Sequence, residues 1–222
     1  MSLPRGVAAA ARLLAVTVVV LLAMPGAGTA AAPEPAPLSA GEQALVGRIE
    51  AYFNGVRTMR ARFLQSASTG QVAEGTVALQ RPGRMRIEYD PPVPVLIVAD
   101  GTWLIYHDRG LNQISYLPLG QTPAGILVED KIDLDGGGLT IVDFSRAGGV
   151  VRITVVRTQS PADGSLTLAF SESPLELRQW RVVDAQGVAT TVSLSEIETG
   201  MKLDAELFRF VDPRRKAPDF PE

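Results

Sequence analysis

The side chains that could support enzyme chemistry are few in this chain of 222 residues. A Ser-His-Asp hydrolase would need His107, the single histidine. The sequence has no Gly-x-Ser-x-Gly motif, and Asp108 is too close to His107 in sequence to indicate a triad. The lack of cysteine excludes a thiol nucleophile, a zinc–thiolate site and a disulfide framework. The sequence therefore predicts a protein that is not an enzyme and has no catalytic residue.

One acidic segment could in principle hold an ion. Asp130, Asp133 and Asp135 precede three glycines, as in part of a calcium loop, but the EF-hand order and its terminal glutamate are missing. The glycines at 136–138 also lack the lysine and hydroxyl that follow a phosphate-binding loop. A single histidine makes a multi-histidine metal site impossible. We interpret the segment as a solvated turn and predict no metal and no cofactor.

The charge of the chain argues against a nucleic-acid partner. The sequence has 21 Lys and Arg against 24 Asp and Glu, which gives a formal net charge of −3. Such a balance provides no electrostatic footprint for a phosphate backbone. The basic run at 214–216 could steer the protein toward anionic headgroups or an acidic partner, but three charges contribute weakly in salt. We interpret that run as solvated.

The N-terminus has the pattern of an export signal. Arg5 and Arg12 precede an apolar run from Leu13 to Met24, and small residues follow. The apolar run is shorter than the roughly 18 to 20 residues that cross a bilayer, which argues against an uncleaved anchor helix. We predict a signal peptide over residues 1–30 that is cleaved on export. In a Gram-negative bacterium the mature protein would then reside in the periplasm.

Two helices are predicted in the mature chain. Residues 31–38 are rich in Ala and Pro and predict an extended leader. Ser39 and Glu42 form a capping box, and apolar residues at helical spacing predict an amphipathic helix over about 39–53. Thr122 followed by Pro123 is typical of an N-cap and a first helical residue, so a short apolar helix should begin there.

The remaining sequence is dominated by short strands. About ten β-type runs are separated by Gly, Pro and Asp turns, and no stretch looks like an interdomain linker. We predict a single domain over 39–222, mainly β, built as an open antiparallel half-barrel of about ten or eleven strands with a helical lid over its concave face. More than about eight strands leave space inside a barrel, so a cavity is expected. The alternative, that the helices fill the concave face, stays open.

Several motifs occur in a fixed order along the chain. They are Phe63-Leu64-Gln65, the run from Arg81 to Pro92, Asp100-Gly101 with Trp103 and Tyr106, Thr122-Pro123, and the run from Leu207 to Phe210. In the order and spacing of these motifs, the sequence resembles the periplasmic outer-membrane lipoprotein carrier proteins of the LolA family. No single motif is specific alone. The resemblance rests on their collinear order behind an export signal and spans nearly the whole mature chain.

The resemblance implies an incomplete barrel whose helical lid closes a hydrophobic cavity. Such a carrier takes the acyl chains of a lipoprotein cargo from an inner-membrane ABC transporter and passes them to an outer-membrane acceptor. It also implies that Arg81 holds the lid closed by bonding to helix carbonyls and that Met85 meets the lipid. The family's usual Phe and Trp on this strand are here Met85 and Ile87. The expected cavity and lid residues are Arg81, Met85, Ile87, Tyr89, Trp103, Ile126, Leu127 and Val128.

Each of these residues also has an ordinary structural explanation. Arg81 could be a surface arginine before a turn proline, since charged side chains are mostly exposed. Met85, Ile87 and Tyr89 share one face of a strand by alternation, which core packing explains equally well. Two other functions remain open, namely a related half-barrel that binds or senses a lipid or lipopeptide of the envelope, and an interaction module with a filled interior. For the carrier we expect a monomer.

Overall fold

The computed structural model describes residues 32–68, 70–134 and 136–214. The predicted signal peptide, Asp135 and residues 215 and 216 of the basic run lie outside the described residues. The helix is α1, Ala40–Gly55, and short 3₁₀ helices cover Leu119–Gln121, Pro123–Val128, Pro161–Asp163 and Ala205–Phe208. The strands are β1 Thr58–Ala67, β2 Val72–Gln80, β3 Arg84–Tyr89, β4 Val95–Asp100, β5 Trp103–Asp108, β6 Gln113–Pro118, β7 Leu139–Ala147, β8 Val150–Arg157, β9 Gly164–Glu172, β10 Leu175–Asp184 and β11 Ala189–Thr199.

All eleven strands form one antiparallel sheet. Their order is β6-β5-β4-β3-β2-β1-β11-β10-β9-β8-β7. Most pairs join strands that are consecutive in sequence, and the pair of β1 with β11 joins the first strand to the last. Within the described chain, β6 and β7 form the two edges and do not pair with each other. The sheet is therefore open. The predicted half-barrel of about ten or eleven strands is confirmed.

The predicted amphipathic helix is confirmed as α1. Its capping box is formed, because the backbone N–H of Ser39 donates to Glu42 Oε2 at 2.7 Å and the backbone N–H of Glu42 donates to Ser39 Oγ at 3.4 Å. Leu45, Val46, Ile49 and Phe53 are its buried residues. Their spacing of three and four places them on one face, which packs against the sheet.

Alternation along the strands divides the sheet into two faces with different coverings. The concave face packs against α1 in the main core. Val77 on β2 and Phe170 on β9 are two of the side chains that this face contributes. On the convex face, the C-terminal segment packs Phe208 against Ala78 of β2. The only histidine, His107, is buried on this side with its ring 5.6 Å from that of Phe210. It therefore lies away from the concave interior.

The connection between β6 and β7 crosses the concave side of the half-barrel. Because these strands are the opposite edges of the sheet, the residues between Pro118 and Leu139 have to span its open side. We call residues 119–134 the strap, and α1 together with the strap the lid. Strap residues that pack in the main core are Leu119, Ile126, Leu127, Val128, Ile132 and Leu134. Among the described residues, none of the helices combines the length and apolarity needed to span a membrane.

Gly75 on β2 provides a test of how tightly the concave face is packed. A Cβ there would lie 2.2 Å from the carbonyl oxygen of Glu88 and 2.7 Å from a ring carbon of Phe63. We expect Gly75→Ala to lower the free energy of unfolding by about 1–3 kcal/mol, measured by urea denaturation. Gly47→Ala in α1 is the matched control. Its Cβ would meet nothing within 4 Å, so it should raise stability by about 0.5–1 kcal/mol. Equal effects of both substitutions would contradict this packing.

Candidate functional site

A continuous apolar layer lies between the concave face of the sheet and the lid. Its most deeply buried large side chains are Ile49, Val77, Met85, Ile126, Leu127, Ile132, Leu134, Ile153, Leu166, Leu168 and Phe170. All but one of these are aliphatic or methionine. Because such side chains make no directional contacts, this surface would accept an apolar chain without requiring a particular shape.

Arg81 is the one charged side chain buried against this layer among the described residues. It follows β2 and is 6% exposed. Its Nη1 donates to the carbonyl oxygen of Phe53 at 2.7 Å, and its guanidinium carbon lies 4.6 Å from the centre of the Phe53 ring. Its backbone N–H also donates to the carbonyl oxygen of Arg57 at 2.8 Å. These contacts fasten the C-terminal end of α1 to the corner between β2 and β3.

The electrostatics of Arg81 are those of an incompletely compensated cation. Burial, and secondarily the charge of Arg57, lowers the pKa of Arg81 to about 10, so the side chain stays protonated at neutral pH. Its Nε has no hydrogen-bond partner among the described residues. The last turn of α1 contains no basic residue, so Arg81 places a positive charge at the negative end of the helix dipole. The closed position of α1 partly compensates the cost of burying this charge.

The short helix of the strap begins as the sequence predicts. Thr122 Oγ1 accepts a hydrogen bond from the backbone N–H of Gly125 at 3.1 Å, and Pro123 is the first helical residue. The helix is 3₁₀ and ends at Val128, whose carbonyl oxygen accepts from the N–H of Gly83 at 2.7 Å. This bond joins the strap to the same corner of the sheet that carries Arg81.

Seven of the eight predicted cavity and lid residues border the same apolar layer. Met85, Ile87 and Tyr89 lie on the concave face of β3, with Met85 fully buried and the other two half-buried. The ring of Tyr89 lies edge to face with Phe63 at 5.2 Å, and its hydroxyl donates to Gln65 Oε1 at 2.6 Å. Burial raises the pKa of Tyr89 to about 12, so its hydroxyl is neutral. The remaining members are Arg81, Ile126, Leu127 and Val128.

Trp103, the eighth predicted residue, lies elsewhere, and the expectation is corrected. Along β5, Leu104 packs against the main core, so alternation directs Trp103 and Ile105 to the convex face. There the Trp103 ring contacts Tyr116 at 6.3 Å between centres and borders a groove beside Phe210. Trp103 is 40% exposed. It therefore does not line the apolar layer beneath the lid.

The interior is filled in this conformation. The cavity beneath the C-terminal end of α1 has a volume of about 20 Å³, whereas pockets for small ligands enclose about 300–1,000 Å³. Of the two alternatives left open by the sequence, the structure has the one in which the helices fill the concave face. Ile49 and Phe53 of α1, with Ile126 and Leu127 of the strap, occupy much of that space. An apolar ligand could enter only if lid side chains leave. Larger grooves of about 390–550 Å³ are open to solvent, and one of them reaches Tyr89.

Sequence reasoning missed the polar contacts between α1 and the strap. Asn54 donates to the carbonyl oxygen of Ile132 at 2.8 Å and accepts from the N–H of the same residue at 2.9 Å. The N–H of Leu134 donates to Glu50 Oε1 at 2.6 Å. One available signal was the alternation of Ile132 and Leu134 with charged neighbours, which indicates an extended segment with one apolar face.

The acidic segment of the strap does not gather into a metal site. Across the described chain, no group of three or more His, Cys, Asp or Glu side chains is placed to hold an ion. Asp130 instead pairs with Arg57, whose Nη2 lies 2.9 Å from Asp130 Oδ1. The third predicted acidic residue, Asp135, is outside the described residues.

Comparison with known proteins finds a matching family model and relatives that carry the same description. The family model described as "Outer membrane lipoprotein carrier protein LolA" matches residues 54–211. A relative from Dechloromonas aromatica, named outer-membrane lipoprotein carrier protein, is 30% identical over 180 residues, covering 76% of this chain and 84% of the relative. One from Halorhodospira halophila with the same name is 32% identical over 179 residues, covering 74% and 80%. A solved LolA-superfamily protein from Nitrosomonas europaea matches with 9% identity and a TM-score of 0.41, covering 74% of this chain and 97% of that chain.

Gly125 in the strap has a steric role that can be tested. A Cβ there would lie 2.2 Å from the carbonyl oxygen of Leu119, so alanine would force the short helix away from the preceding turn. We expect Gly125→Ala to lower the free energy of unfolding by about 1–3 kcal/mol. Gly120→Ala, in the neighbouring turn, is the control because its Cβ would meet nothing within 4 Å. Urea denaturation curves of both variants check this, and a Gly125→Ala protein as stable as the Gly120→Ala protein would disprove it.

Proposed function

The chain belongs to the outer membrane lipoprotein carrier protein (LolA) family, and we propose that it is a periplasmic carrier that binds lipoprotein acyl chains beneath its lid. In this proposal it receives acylated cargo from an inner-membrane ABC transporter and delivers it to an acceptor at the outer membrane. The observation that carries the proposal is the aliphatic layer between sheet and lid, fastened at its edge by one buried arginine. The proposed activity involves no covalent chemistry.

An acylated protein cannot cross an aqueous compartment unaided. Each methylene exposed to water costs about 0.8 kcal/mol, so a long acyl chain costs on the order of ten kcal/mol. A wall of Leu, Ile, Val and Met removes this cost through area burial alone. Because no directional bond is required, such a wall suits cargoes that share acyl chains but differ in protein sequence.

The filled interior fits a carrier only if the lid side chains can be displaced, which would also help such a carrier to release its cargo. In the closed state the apolar side chains of α1 and the strap cover the concave face. An acyl chain that enters exchanges with these side chains, so the net affinity is the difference between burying the chain and reopening the lid. The contact between Arg81 and Phe53 stabilises the closed, empty form and so weakens net binding of lipid. Arg81 would thus tune affinity and favour hand-off.

Replacing Arg81 tests this proposal directly. We expect Arg81→Leu to lose the bond to Phe53 and to add apolar surface inside, so loaded cargo should be held about tenfold more tightly and handed off more slowly. The measurement is transfer of a fluorescent triacylated lipopeptide from the purified protein to lipid vesicles. Arg84→Leu is the matched control, because Arg84 begins β3, alternates with Met85 and makes no side-chain hydrogen bond or ion pair among the described residues. If the Arg81→Leu variant transferred the lipopeptide at the wild-type rate, the proposal that Arg81 holds the lid closed would be overturned.

The cargo class is tested by native mass spectrometry of protein purified from the periplasm. Co-purified acylated proteins or lipopeptides support the carrier. Free lipid alone would favour the related lipid-binding or sensing half-barrel instead. A third outcome is purified protein that carries no ligand, together with an Arg81→Leu variant that binds no apolar dye. That result would indicate an interaction module with a permanently filled interior and would contradict the proposal.

A further inference from the structure

The two parts of the lid are attached to the sheet in different ways. The strap continues into the two edge strands, β6 and β7, so both of its ends are fixed. The C-terminal end of α1 continues into β1, near the middle of the sheet. At its other end, α1 follows a leader that is bonded to β7 by the N–H of Ala36 and the carbonyl oxygen of Ile141, at 2.8 Å. Both segments are thus tied at two ends. The strap is also bonded to the sheet between its ends, by the N–H of Gly83 and the carbonyl oxygen of Val128, whereas no hydrogen bond joins residues 40–51 of α1 to the sheet among the described residues. Therefore α1 has more freedom to move.

Polar contacts join α1 to the strap along one line, which we call the seam. Glu50, Asn54 and Arg57 are spaced by four and three residues, so they fall on one side of the helix and its end. Their partners are Leu134, Ile132 and Asp130 respectively, so the two segments run antiparallel along the seam. The Arg57 contacts are largely exposed and contribute little.

The inner part of the seam is buried. Ile132 is 1% exposed and Leu134 is fully buried, so their backbone N–H groups are removed from water and depend on Asn54 and Glu50 for acceptors. Asn54 also donates to the carbonyl oxygen of Ile132, so a single side chain satisfies both backbone groups of that residue. A buried donor without a partner is costly, so these hydrogen bonds favour the closed position of α1.

The apolar face of α1 packs against the sheet from Leu45 to Phe53, but its hydrogen bonds with the sheet lie near its attached end. Arg81 bonds to Phe53, and the N–H of Leu177 donates to the Tyr52 hydroxyl at 3.3 Å. Both contacts lie within the last four residues of α1, close to where the chain enters β1. Asn54 lies in the same last turn of α1, so this end of the helix is held twice, by Arg81 and Leu177 to the sheet and by the seam to the strap.

We propose that the lid opens along the seam, with α1 moving and the strap staying on the sheet, and that Asn54 is the positioning residue that keeps the seam closed. This inference rests on the proposed carrier function and specifies how access to the same interior is regulated. Arg81 and Asn54 then make two separate contacts near the attached end of α1, one with the sheet and one with the strap. Weakening either should favour the open state.

Hydrogen exchange measures the seam locally and without cargo. We expect Asn54→Leu to raise the exchange rate of the Ile132 amide about tenfold, because its acceptor is lost. Glu50→Ala should act in the same way on the Leu134 amide, and Glu50→Gln, which keeps an acceptor oxygen, should restore protection. The control is Gln43→Ala, an exposed amide side chain of α1 outside the seam. Unchanged exchange at Ile132, or an equal increase at Ile153 and Leu168 in the sheet, would overturn the proposal, since the latter indicates a loss of global stability.

Distance measurements identify which element moves. The chain has no cysteine, so introduced cysteines can be labelled specifically. With spin labels at Arg48→Cys on α1 and Lys131→Cys on the strap, Asn54→Leu should add a population at longer distance. A second pair of labels, at Lys131→Cys on the strap and Arg152→Cys on β8, should keep a single distance between the strap and the sheet. Lengthening of the strap-to-sheet distance instead would show that the strap moves and would refute the proposal.

These results are separable from those of the carrier proposal. If the seam opens as expected but the protein never takes up acylated cargo, the carrier function fails and the seam stands. If acylated cargo is bound and transferred while Asn54→Leu leaves both label distances unchanged, the carrier function stands and the seam proposal fails.

Discussion

A guanidinium held inside an aliphatic layer by one carbonyl oxygen and one aromatic ring sets the energetics of the closed protein. Burying a charge is unfavourable unless it is paired and hydrogen-bonded, and Arg81 is only partly satisfied because its Nε has no partner among the described residues. The contact favours the closed position of α1, since moving the helix away removes the Phe53 carbonyl. It does so weakly, because the desolvation of the cation opposes it. A lid that closes with a small net free energy can be reopened by a ligand that buries enough apolar area.

The topology explains why the interior is apolar and why side chains fill it. A sheet whose edges do not pair leaves its concave face uncovered, and eleven strands present a large apolar area there. The strap crosses between the edges, and α1 packs against the same face. In the absence of an apolar ligand, the buried side chains of these two elements remove that area from water. In the proposed carrier, the lid would thereby occupy the position that a hydrocarbon chain takes, so lid closure and acyl-chain binding would compete for one surface.

Alternation and capping chemistry predicted much of the fold, because they are local. The capping box gave the start of α1, and Thr122-Pro123 gave the start of the strap helix. Trp103 was misplaced because β5 is apolar on both faces. Leu104 packs in the main core while Ile105 is buried on the convex side, which the C-terminal segment covers. Periodicity cannot distinguish the two faces of such a strand. The bonds between Asn54 and Ile132 join residues 78 positions apart, and no local pattern indicates them.

The length of α1 suits an extended chain that lies beneath the whole helix, of which the seam borders the C-terminal part. A helix of 16 residues, rising 1.5 Å per residue, is about 24 Å long. One leaflet of a bilayer core, which an acyl chain spans, is about 15 Å thick. An opening at one end of the helix would require a chain to thread under the lid from its tip. An opening along the side exposes the apolar face of α1 and the sheet beneath it together, so the chain can be transferred sideways over its whole length. The buried polar contacts at Asn54 and Glu50 lie on that side, where they oppose opening in the absence of cargo.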